Sequence, residues 1–67
     1  NTINKGTLKN ALEQVEKQML IDSLIEMRGN ITKSAEQLGI TRRIMGLLIA
    51  RYKIQVKNYK HLSNEQN

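Results

Sequence analysis

Sixty-seven residues make one small domain, near the lower end of what buries a stable core unaided, and the chain has no Cys, Trp, Phe or Pro. The core must be aliphatic; a disulfide-built secreted domain is excluded, and oligomerisation is the commonest remaining route to more burial. The formal charge of +5 is lopsided, with three lysines against four acids up to residue 27 and eight cations against two acids beyond it. A basic half joined to a near-neutral half points to an anionic partner at one end only.

Taken in chain order, Asn1 to Gly6 is polar and aperiodic and reads as a linker. Position 1 is Asn rather than Met, so a piece of a longer protein is expected. No signal peptide or membrane-length apolar run is visible. Thr7 is a candidate N-cap, its hydroxyl placed to accept from a free amide of a new helix. From there Leu8, Leu12, Val15 and Met19 recur in alternating steps of four and three, which is one helical face. Past Met19 the pattern widens. Leu20, Ile21, Leu24, Ile25 and Met27 leave only Asp22, Ser23 and Glu26 for solvent. A helix over residues 7–27, about 31 Å long at 1.5 Å per residue, offers more apolar surface than one neighbouring helix covers. The expectation is self-association through residues 8 to 27, with Leu8, Leu12, Val15, Met19, Leu20 and Leu24 in the interface.

Gly29 can close that helix in the left-handed conformation, and Asn30 can cap the next. In the second helix Ile31, Ser34, Ala35 and Leu38 share an inward face. Gly39 stops it, Ile40 returns to the core, and Thr41 caps a third helix whose inward stripe is Met45, Leu48, Ile49 and Tyr52. Ile54 and Val56 suit a lid on the core. Residues 55–67 are polar enough to predict a flexible tail.

The spacing from Asn30 to Tyr52 is that of a helix-turn-helix. Ala35 is small where two helices cross, Gly39 turns the chain four positions on, and Ile40, Met45 and Leu48 lock the second helix to the first. In this motif the N-terminal end of the second helix enters the major groove, and it carries Thr41, Arg42 and Arg43. Arginine's fork matches the two acceptors of a guanine edge, while either arginine can instead clamp phosphate. Gly46 costs about 1 kcal/mol against Ala in mid-helix; close approach to DNA and tight packing on the first helix are equally good reasons for it. Leu47 beside it can touch a thymine methyl. Arg28, Asn30, Thr32, Lys33 and Arg51 are candidate phosphate contacts. With no Cys, and His61 alone in the tail, neither catalysis nor a metal or other cofactor is expected.

These residues carry a resemblance. Arg28-Gly29-Asn30, Thr32, Ala35, Leu38-Gly39-Ile40, Arg42, and Tyr52 followed by Ile54 resemble the Fis-type helix-turn-helix family, over residues 7 to 54. That family includes the C-terminal DNA-binding domains of sigma-54-dependent transcriptional activators, and Thr41 to Leu47 looks most like the NifA branch of the NifA/NtrC group. The resemblance implies an all-α fold in which a long N-terminal dimerisation helix precedes the helix-turn-helix, with a four-helix core formed across the homodimer. It implies a cytoplasmic, nucleoid-associated protein binding an inverted repeat of double-stranded DNA. Sigma-54 polymerase would be met only through an ATPase domain upstream of residue 1. Lys53 departs from the pattern, standing where a helix-ending Gly is usual. Two other readings fit the same residues: a nonspecific architectural DNA bender, and a helical dimerisation or protein-interaction module.

Overall fold

The computed structural model describes residues 6–64. The expected linker lies, but for Gly6, outside the described residues. Four helices follow in order: α1 (Thr7–Glu26), α2 (Ile31–Leu38), α3 (Arg42–Tyr52) and α4 (Lys57–Asn64). The cap position of α1 falls on left-handed Gly6 (φ 90°), so Thr7 is the first helical residue rather than the cap.

The helix ends follow local chemistry. Asn30 Oδ1 accepts from the Lys33 amide at 2.9 Å and Thr41 Oγ1 from the Ile44 amide at 3.1 Å, so both expected N-caps form. At their C-terminal ends α1, α2 and α3 close by one device, in which an amide reaches back five residues: Gly29 to Leu24, Ile40 to Ala35 and Ile54 to Ile49. The device needs one left-handed residue at the bend. Gly39 (φ 77°) fills it after α2, but Arg28 and Lys53, both at φ 56°, fill it after α1 and α3. Gly29 follows Arg28 in the same region (φ 80°), so the α1–α2 turn holds two left-handed residues in a row.

The core is Leu20, Leu24, Ala35, Met45 and Ile54, with Ile21, Ile31, Leu38, Leu48, Ile49, Tyr52, Val56 and Tyr59 packed around it. It is drawn from the C-terminal half of α1, both helices of the motif and the segment after them. Two assignments change. Leu20 and Leu24 sit in the protomer's own core, at 2% and 0% exposure; Leu24 is removed from the expected dimer contacts, while Leu20 still lines the apolar groove beside Met19. Ser23, expected at the surface, is buried where α1 crosses α2. Its hydroxyl lies 2.5 Å from Gln37 Oε1 and 3.3 Å from the Ser34 carbonyl, and Ser34 Oγ donates to the Ser23 carbonyl at 3.3 Å. Two side chains small enough for a close crossing each turn a hydroxyl to the other's backbone carbonyl there.

The expected tail is also corrected. Residues 57–64 form a helix in contact with α1, because Val56 and Tyr59 find apolar cover on the core. Residues 65–67 lie outside the described residues.

Candidate nucleic-acid interface

The turn between α2 and α3 brings the N-terminal ends of both helices together. Arg42 Nε donates to Thr32 Oγ1 at 3.1 Å, tying the first turn of α3 to the first turn of α2. Arg42 also lines a polar hollow with Arg28, Asn30, Thr32 and Lys60, about 580 Å³ in volume. Three cations from three segments line it, and no carboxylate among the described residues does. Asn30 gives its carbonyl oxygen to the cap and keeps its amide nitrogen to donate. Lys33 is exposed on α2 but does not line the hollow.

Arg43 is different. It is exposed and finds no ionic partner among the described residues. Gly46 and Leu47 lie one turn further along the same exposed side, Leu47 at 61% exposure. A Cβ built on Gly46 meets nothing within 4 Å. Packing on another helix is therefore not the reason for this glycine. Thr41 is exposed, its hydroxyl engaged at the cap.

Arg51, expected to contact phosphate, faces α1 instead. Its Nη2 pairs with Glu13 at 2.7 Å and its guanidinium carbon lies 5.6 Å from the centre of the Tyr52 ring. The periodicity put it opposite the inward stripe, but a long side chain reaches round the helix to the nearest carboxylate. The pair is half exposed, so it contributes about 0–1 kcal/mol. Beside it the Tyr52 hydroxyl donates to Glu16, and that bond, with the Glu16 charge, raises the phenol above its ordinary value. The two contacts tie the C-terminal end of α3 to the middle of α1.

Leu8, Leu12, Val15 and Met19 are exposed at 73, 60, 57 and 54%. They line an apolar groove of about 680 Å³ whose other wall is Leu38, Ile40 and Leu48. Nothing within the described residues covers it.

Lys60 was missed from sequence because it lies in the segment read as tail. The three-residue step from Val56 to Tyr59 was the available signal for a helix there.

Comparison with known proteins gives a consistent picture. Residues 11–52 match the family described as bacterial regulatory protein, Fis family. Two curated proteins of Azotobacter vinelandii are similar: nitrogen fixation protein AnfA, 34% identical over 53 residues, and nitrogen fixation protein VnfA, 32% identical over 53 residues. Each alignment covers 79% of this chain and 10% of the relative, so the chain spans about a tenth of the length of these relatives. No solved structure matches significantly.

Proposed function

The chain belongs to the Fis family of bacterial regulatory proteins, whose helix-turn-helix binds DNA in transcription regulation, and from that premise we propose that two copies read an inverted repeat of duplex DNA through α3. The chain's parent is a transcriptional activator of the sigma-54-dependent kind, acting on polymerase through a domain outside this chain.

The carrying observation is the unlike placement of two adjacent arginines. Arg42 is held by Thr32 over the basic hollow, which suits a phosphate clamp. Arg43 stands out from α3 beside Gly46 and Leu47, which suits a base edge in a major groove approached closely by the helix. Arg28, Asn30 and Thr32 flank it at the backbone, with Lys33 alongside, and Thr41 sets the start of the reading helix. The exposed stripe from Leu8 to Met19 joins the two copies and fixes the spacing of their readers.

The test begins with a site selected from random duplexes. Arg43→Ala is expected to lose about 1–3 kcal/mol on the selected site and far less on random duplex. Arg42→Ala is expected to weaken both alike and to flatten the salt dependence. Equal affinity of the unaltered chain for selected and random duplexes would replace sequence reading by architectural binding.

A further inference from the structure

Between Leu8 and Met19 the burial of α1 is inverted. Its apolar residues are bare, while Glu13 and Glu16 are half-buried and are the only residues of that stretch that are not exposed. Carboxylates leave water only where partners compensate them. The last turn of α3 supplies both partners. Arg51 Nη2 donates to Glu13 Oε2 at 2.7 Å, and the Tyr52 hydroxyl donates to Glu16. The Arg51 guanidinium carbon stands 5.6 Å from the centre of the Tyr52 ring, so the two contacts support each other.

Resting on the reading by two joined copies above, we propose that Glu13 and Glu16 are positioning residues for the DNA reader. Braced on Arg51 and Tyr52, they set the angle between the dimerising half of α1 and α3. That angle decides which half-site spacing the dimer accepts.

The two carboxylates are three residues apart and share one edge of α1. Glu13, Glu16 and Arg51 all line the apolar groove, whose walls are the α1 stripe on one side and Leu38, Ile40 and Leu48 on the other. The first core residue of α1 is Leu20, so residues 8 to 19 project about 18 Å beyond the packed half of the helix. A brace on that projection acts where a small change of angle moves a second copy furthest. A copy seated in the groove meets both walls, and the angle between them passes to its own reading helix. DNA is sensitive to this, since one base pair shifts a half-site by about 3.4 Å and about a tenth of a turn. Half-exposed contacts of this kind add little to stability, so positioning can be separated from folding.

The experiment compares the full chain with a variant carrying Glu13→Gln and Glu16→Gln. Both are measured on duplexes that hold two selected half-sites at the preferred spacing and at one base pair to either side. Removing two acids strengthens binding to every duplex alike, so the readout is the ratio of affinities between spacings. The advantage of the preferred spacing is expected to fall by roughly tenfold, within the 10²–10⁴-fold gain that joining two readers offers. Helix content, the dimer in sedimentation and affinity ranking among single half-sites should be kept. Glu13→Arg alone should also lose the preference, and Glu13→Arg with Arg51→Glu, which restores the pair reversed at unchanged net charge, should recover it. An unchanged ratio in the double Gln variant overturns the positioning role. A monomeric variant overturns it too, by placing the carboxylates in the interface itself. An unaltered chain that binds selected half-sites with no preference among spacings overturns the reading by joined copies, and the positioning role with it.

Discussion

Arg28 precedes Gly29 in the left-handed region, so the charged residue rather than the glycine holds the bend that closes α1. Lys53 does the same after α3. A non-glycine residue in this conformation costs roughly 1 kcal/mol. Arg28→Gly and Lys53→Gly are each expected to stabilise the fold by about that amount, raising Tm by about 4–8 °C in a domain of this size. Their effects on DNA should differ. Arg28 lines the basic hollow and Lys53 does not, so only Arg28→Gly should weaken duplex binding. Undiminished binding by Arg28→Gly would remove Arg28 from the interface.

The Ser23–Ser34 crossing makes a second, purely structural prediction. Ser34→Ala deletes one donor, yet the Ser23 carbonyl keeps the Met27 amide at 2.8 Å. The loss should stay near 1 kcal/mol. Ser34→Val puts extra methyl volume into a fully buried position and should cost about 1–3 kcal/mol from overpacking alone. Urea midpoints in the order unaltered, Ala, Val check this. The reverse order of the two variants would mean the crossing has room the structure does not show.

These cases mark what local chemistry reveals. Asn30, Gly39 and Thr41 announce the limits of α2 and α3 because each acts on backbone groups within a few residues of itself. Ser23 was unreadable because its partners, Ser34 and Gln37, are more than ten residues away. Leu20 and Leu24 continue the helix that begins with Leu8 and Leu12, and periodicity cannot say that one half is covered by its own chain while the other is not. The fork of Arg51 was misplaced for a related reason: helical phase locates a Cβ, and a guanidinium travels well beyond it to Glu13. For α4, too few apolar residues showed from sequence alone, and only the core they cap explains its order.

Gly46 separates stability from function. Its Cβ would point into open space, so Gly46→Ala should stabilise α3 by about 1 kcal/mol through helix propensity. The same methyl group should hinder approach of the helix backbone to a base edge and reduce affinity for the selected duplex. Thermal melting and binding isotherms on one preparation decide it. A variant that is both more stable and equally tight would free Gly46 from any contact with DNA.

Tyr52 gives the fold an alkaline limit. Donation to Glu16 is lost when the phenol ionises, and the phenolate would also face that carboxylate's charge, so the folded pKa lies above the ordinary value of 10. A folded pKa raised above the unfolded one means that the stabilisation is complete below about pH 10 and is lost as pH rises through the folded value. In a Tyr59→Phe background the phenolate absorbance of Tyr52 should titrate above 10, and Glu16→Gln should bring it down. A normal pKa in both proteins would show that the bond to Glu16 does not persist in solution.

Leu12 tests the part of the reader that lies outside the motif. It is 60% exposed in a stripe with Leu8, Val15 and Met19, and it is absent from the core and its packing shell. Leu12→Lys should therefore leave the helix content and the protomer core intact while placing a charge in the groove that a second copy would fill. Sedimentation should show a dimer for the unaltered chain and a monomer for the variant. Binding to an isolated half-site should be little changed, because Arg43 and the basic hollow stay in place. On a duplex carrying both half-sites the loss should be much larger, since joining two readers raises avidity by about 10²–10⁴-fold without any new contact. A Leu12→Lys chain that remains dimeric would move the interface elsewhere. A monomer that binds both duplexes as tightly as before would make dimerisation irrelevant to reading DNA.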